Sequence, residues 1–314
     1  MKGTRSLFTV DLAAFLLVVL WVPSASEALR PTNRGPSLSS LRLGRRGLIR
    51  FGAAAPFSLV GKDAIASEAR NNGLAALLKK KDPSLLKNRV FNIPPSSVVY
   101  PSWLRGSWEI ASNLNGYIFP SQNIPKEKIV QNPIVPGFQK CSVAATADIG
   151  KENVKYEWRV DRETGLEDRN FNFRSEIDAY LGYQAVDSVV YDSKSNPNRV
   201  SIDFVDYKTV NAERIELFCN ARDSEEYTED GQQIFVCSEY ARQVTFGTGS
   251  TVGVPRQVGT NYAHFWTWKQ VSDDKLVGNL LTAGFLDPQD SMYFQETVLP
   301  VVIYSHVMKG SRLS

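Results

Sequence analysis

Four residues able to do chemistry recur at every second position of the segment NYAHFWTWKQ: Tyr262, His264, Trp266 and Trp268. In an extended chain, side chains at i and i+2 share a face. Three aromatic rings and one imidazole would therefore stand in a row. Lining an interior, that row could hold a flat apolar ligand such as a pigment, a haem or a quinone. Facing outward, it would form an aromatic patch for a protein or membrane partner. Packed into a core, it would leave His264 hydrogen-bonded to a neighbour. The sequence leaves all three open.

Other candidates are weaker. His306 alternates with Tyr304 and Met308 near the C terminus and carries no second signal. Asp287 and Asp290, in LDPQDSMYF, are spaced to cap a turn through backbone N–H groups. Too few oxygen ligands surround them for a calcium site. Arg169 and Arg174 flank NFNF in an expected loop, where they could meet an anionic group or simply solvent. Of the three cysteines, Cys141, Cys219 and Cys237, the last two fall on consecutive expected strands and form a candidate disulfide. Alternation places Cys219 with Ile215 and Leu217 on the apolar face. For Cys237 it is divided: Ile234 and Val236 would put it outside, whereas Phe235 argues for inside. No Cys/His spacing suggests a metal site. No phosphate-binding glycine loop, G-x-S-x-G or H-E-x-x-H is found, and no residue is assigned a catalytic role.

The elements that must position these residues are strands. NVKYEWRVD puts Val154, Tyr156, Trp158 and Val160 on one face and Lys155, Glu157, Arg159 and Asp161 on the other. RVSIDFVD repeats the pattern with Val200, Ile202 and Phe204. KCSVAATAD, YQAVDSVVYD, AERIELFCN, QQIFVCSEYARQVTF, KLVGNLLTAGFLD and VLPVVIYSHVMKG are further strands, separated by turn residues such as Asp230-Gly231 and Asp273-Asp274. Only SEIDAYLG asks for a short helix. Many short strands without strand–helix alternation predict an all-β sandwich or barrel. The expectation is one antiparallel β-barrel of about 8–10 strands, spanning residues 96–310 behind a flexible leader at 67–95.

LRGSWEIAS on the first strand resembles the Gly-x-Trp motif of lipocalin-like (calycin) barrels. The resemblance implies that Gly106 lets the chain turn into the barrel and that Trp108 plugs its closed end. A longer series resembles a domain-of-unknown-function family of cyanobacteria and of plant and algal plastids: VVYPSWLRGSWEIAS, PGFQK, RNFNFRSEIDAYLG, NPNRVSIDF, SEYARQVTF and LDPQDSMYFQETVLPVVIYSHV. It covers about Ile93 to Met308. It implies a photosynthetic setting and supplies no catalytic residues.

The N-terminal segments read as addresses. Residues 1–28 carry Lys2, Arg5, an apolar run and Ser26-Glu27-Ala28, the pattern of a secretory signal peptide. Residues 29–44 belong to a stretch, Leu29 to Lys62, with no Asp or Glu and many Arg and Ser, the composition of a plastid transit segment. Residues 45–66 start with Arg45-Arg46 and end in Ala64-Ile65-Ala66, which resembles a twin-arginine export signal. In series, the three resemble the route into the thylakoid lumen of a secondary plastid. Cleavage after Ala66 would leave 27 basic and 30 acidic residues of the chain's 36 and 33, a net charge of −3. With no basic stripe interleaved with aromatics, nothing suggests a nucleic-acid partner.

Together these features predict a non-catalytic accessory protein of the thylakoid lumen that associates with a photosynthetic membrane complex or binds a small apolar ligand. A lipocalin-like carrier of pigment, haem or quinone is one alternative. A pigment-modifying isomerase or lyase, with polar groups converging beside His264, is the other.

Overall fold

Period-two alternation becomes strand almost wherever the sequence shows it. The structure, a computed structural model, describes residues 73–89, 96–131, 152–209, 212–247 and 257–314. The address segments with Arg45, Arg46, Ala64 and Ala66, the segment PGFQK, and KCSVAATAD with Cys141 lie outside the described residues. In chain order the regular elements are α1 (Leu74–Lys79), β1 (Gly106–Ile118), α2 (Lys126–Val130), β2 (Val154–Val160), α3 (Arg169–Leu181), β3 (Val186–Asp192), β4 (Asn196–Phe204), β5 (Arg214–Glu229), β6 (Gln232–Phe246), β7 (Gln257–Ser272), β8 (Lys275–Phe285) and β9 (Val302–Arg312).

The nine strands form one antiparallel sheet in the order β2-β1-β9-β8-β7-β6-β5-β4-β3. From β3 to β9 it is a meander of hairpins. The β5–β6 turn is Asp230-Gly231, both at positive φ, as a tight hairpin turn requires. β1 then pairs with the last strand, β9, and β2 with β1.

The sheet curls strongly. β2 and β7 are four positions apart in it, about 19 Å across a flat sheet. Yet the rings of Trp158 on β2 and Trp268 on β7 stack with centroids 5.5 Å apart. Val154 and Tyr156 on β2 likewise share a cluster with Val200, Ile202 and Ile215 on β4 and β5. The concave face is thus an interior.

Closure departs from expectation. The sheet is open: its two edge strands, β2 and β3, are not neighbours, so strand pairing does not make a closed barrel. Helix α3 fills the gap, and it begins earlier than the expected SEIDAYLG segment. Asp168 caps it by accepting from the Phe171 N–H, and Gly182 ends it in the left-handed conformation. Residues two apart on a helix point in nearly opposite directions. Asn172 therefore reaches β2, where it accepts from the Arg159 N–H (2.8 Å) and donates to the Arg159 carbonyl (2.9 Å). Asn170 reaches β3, accepting from the Tyr191 N–H (2.9 Å) and donating to the Tyr191 carbonyl (3.3 Å). Ser175 accepts from the Glu157 N–H, Arg174 donates to the Asp187 carbonyl, and Asp178 accepts from the Ala185 and Val186 N–H groups. Exposed strand edges carry unsatisfied polar groups; here helical side chains satisfy them on both sides. NFNF thus lies in a helix and not in a loop, and Arg169 and Arg174 with it.

One end of the interior is sealed. Gly106 has φ +109°, a conformation that favours glycine, and it starts β1. Trp108 is 0% exposed and donates its indole N–H to the Leu104 carbonyl at 2.8 Å. Tyr100, Leu104, Phe235, Leu276 and Trp158 pack around it. The Arg312 guanidinium lies 4.1 Å from the Trp108 ring centroid. Gly278 makes room for Trp268, since a Cβ there would come within 2.6 Å of its ring. A second core forms on the convex face. There Leu74, Ala75 and Leu86 pack with Val236, Phe265 and Phe285. The expected flexible leader is thus docked between Leu74 and Leu86, because its leucines cover apolar residues on the convex face.

Candidate functional site

The aromatic row of β7 faces the interior. Register decides this: Trp268 stands opposite Phe235, Trp266 opposite Cys237, His264 opposite Glu239 and Tyr262 opposite Ala241. Trp268 belongs to the sealed end. Ala263 and Phe265 take the convex face. The outward aromatic patch considered for this strand is therefore not formed.

His264 is buried. Its Nδ1 shares a 2.9 Å hydrogen bond with the Thr282 hydroxyl, and its ring lies between Tyr262 (4.8 Å) and Trp266 (5.1 Å). Burial lowers its pKa to about 3, so it stays neutral across physiological pH.

His306 enters the same interior from β9, opposite Leu280 on β8 and Leu114 on β1. It is 3% exposed, and both ring nitrogens are buried without a hydrogen-bond partner among the described residues. Burial lowers its pKa to about 4. A neutral imidazole has one donor and one acceptor, and here both are left over.

A charged network spans the interior from β5 and β6 to the start of α3. Arg169 donates from Nη1 to Glu239 Oε1 at 2.9 Å, and its Nη2 pairs with Glu239 Oε2. Arg169 also meets Glu167, Nε to Oε2, at 3.5 Å. Arg222 donates from Nε to Glu239 Oε2 at 3.2 Å and from Nη1 to Asn198 Oδ1 at 3.4 Å. Glu167 accepts from the Trp158 indole at 3.1 Å. Burial alone would raise the Glu239 carboxyl, but Arg169 and Arg222 outweigh it and hold it well below the carboxylate range. Two guanidinium groups and two carboxylates thus balance.

Glu176 on α3 differs. Burial, reinforced by Glu167, raises its carboxyl to about 8, so it is mostly protonated at pH 7. It lies near enough to Tyr156 and Tyr262 for its charge to reach both. Tyr156, Glu176 and Trp266 each keep part of their surface accessible.

Cys219 and Cys237 are both free and both buried. The expected disulfide fails on register: Cys219 stands opposite Ala241 and Cys237 opposite Ser224. Four residues along a strand separate them by about 13 Å, beyond the reach of a disulfide. Cys237 also packs with Phe235 inside, contrary to the parity of Ile234 and Val236. Asp287 and Asp290 hold a turn, accepting from the Gln289 and Met292 N–H groups, and Asn261 donates to Asp287 at 2.8 Å. No group of three or more His, Cys, Asp or Glu able to hold a metal ion occurs among the described residues.

Sequence reasoning missed Glu239, Arg222, Glu176 and the two bridging asparagines. A signal for Glu239 was present: it shares parity with Phe235 and Cys237, both now inside. Arg222 was hidden by a bulge between Cys219 and Ala221 that reverses alternation on β5.

Residues 92–313 match the model of a family described as Domain of unknown function (DUF6816), and the chain belongs to that family. No curated protein and no solved structure matches it.

Proposed function

We propose that this member of the DUF6816 family is a non-catalytic binding protein that holds a small, largely apolar, ring-bearing ligand inside its curled sheet. His306 carries the proposal. An imidazole at 3% exposure with both nitrogens unpartnered costs stability, about 1–3 kcal/mol for each group left unsatisfied. A ligand offering hydrogen-bond partners to that ring removes the cost. The aromatic lining of Trp266, Tyr262 and Tyr156 suits a flat ring.

The shape supports a lipocalin-like pocket in which α3 replaces the missing strand pairing. Three features point that way: the glycine start of β1, the buried Trp108 plug and the pairing of first with last strand. The leader supports a setting in the thylakoid lumen of a plastid. Docking to a photosynthetic complex is then the use to which a loaded carrier is put. Absorption spectroscopy on protein purified from its native membranes tests the reading. A chromophore that co-purifies, and is lost in Trp266→Ala while the fold survives, supports it. A featureless spectrum together with no organic-extractable small molecule contradicts it.

A further inference from the structure

The interior specifies the charge and one edge of its ligand. We infer that the pocket takes an uncharged ring compound bearing a hydroxyl or carbonyl on its rim, and that this rim group bonds to His306. The inference rests on the binding reading above and deepens it.

Charge comes first. An anionic ligand needs an uncommitted cation. Among the described residues, the guanidinium groups that reach the interior network, Arg169 and Arg222, are both committed to Glu239, and Arg169 meets Glu167 as well. An anion would have to displace a buried carboxylate from a bidentate pair. A cationic ligand meets the same obstacle from the other side: both Glu239 oxygens are engaged by guanidinium N–H groups, and Glu176, mostly protonated in its buried place, offers no standing negative charge. A buried charge without a partner is strongly disfavoured.

The polar edge comes second. His306 sits in an apolar stretch, facing Leu280 and Leu114 across its two neighbouring strands. Its free donor and acceptor match a hydroxyl, which is both, or a carbonyl, which accepts. Glu176 on α3 and Tyr156 on β2 add polar side chains, each on a residue that keeps part of its surface accessible. A purely hydrocarbon ligand would leave the imidazole unsatisfied and forfeit that interaction.

Three probes sharing one ring separate the possibilities: 2-naphthol, 2-naphthoate and 2-methylnaphthalene, titrated calorimetrically at pH 7 into the protein stripped of ligand. The expected order is 2-naphthol tightest, ahead of both others by about tenfold or more, the value of one buried hydrogen bond. His306→Leu should abolish the advantage of 2-naphthol over 2-methylnaphthalene. Should His306→Leu fail to fold, His306→Phe serves the same comparison, and the wild-type ranking needs no variant. Binding of 2-naphthoate as tight as 2-naphthol overturns the assignment of charge. Equal affinity for 2-naphthol and 2-methylnaphthalene, or a 2-naphthol affinity indifferent to position 306, overturns the assignment of the rim group. In both cases the binding reading stands. Failure of all three to bind overturns that reading too.

Discussion

Replacing His306 by leucine should stabilise the ligand-free protein. Histidine and leucine are close in volume, and a volume-conserving change in a core usually costs little. What the change removes is an imidazole whose two nitrogens have no protein partner. At pH 7.5 the gain should be about 2–6 kcal/mol, about 1–3 for each of the two unsatisfied nitrogens. A second contribution depends on pH. The folded-state pKa of His306 is depressed to about 4, whereas an unfolded histidine titrates near 6.5. The unfolded chain thus binds a proton first as pH falls. Wild-type stability associated with this group is intact above pH 6.5 and is lost progressively below it. At pH 5 that loss is about 2 kcal/mol, and His306→Leu escapes it. Urea unfolding of both proteins at pH 7.5 and 5.0 reads the two contributions directly. The gap should favour the variant at both values and widen at pH 5.0. A variant less stable than wild type at both values would mean that His306 is a satisfied structural residue, and the binding reading would lose its support.

Three further outcomes follow from the same geometry. Trp108→Ala should cost about 3–5 kcal/mol by thermal or urea unfolding, because the ring is fully buried at the sealed end. Asn172→Leu should cost about 2–3 kcal/mol by removing both hydrogen bonds to Arg159, and hydrogen exchange at the Arg159 and Tyr191 amides should accelerate as α3 loosens. Glu176 has its carboxyl raised to about 8 from 4.5, so its contribution is full below pH 4.5 and is lost as pH rises through 8. Wild type should lose on the order of 3–4 kcal/mol between pH 5 and 8.5 from this group, and Glu176→Gln should remove that part of the slope.

Strand content was legible because alternation survives wherever one face is interior. Val154, Tyr156, Trp158 and Val160 point inward with Trp108, as their spacing implies. Closure was not legible. An antiparallel meander signals its strands but not whether its edges meet, and the helix that bridges them carries asparagines at positions that look like loop. The charged network escaped notice because it is assembled from α3, β5 and β6, far apart in sequence, and because a bulge reverses the parity of Arg222. Burial of the histidines was not legible either: it holds the pKa of His264 to about 3 and that of His306 to about 4, so neither ring gains charge to a useful extent above pH 5.

Native mass spectrometry of the protein purified gently from its own organism tests the central claim most directly. The account predicts a folded species heavier than the polypeptide alone by one small uncharged molecule, released on denaturation, and depleted in the His306→Leu protein. A folded wild-type species at the bare polypeptide mass, from material never exposed to detergent or organic solvent, would contradict it.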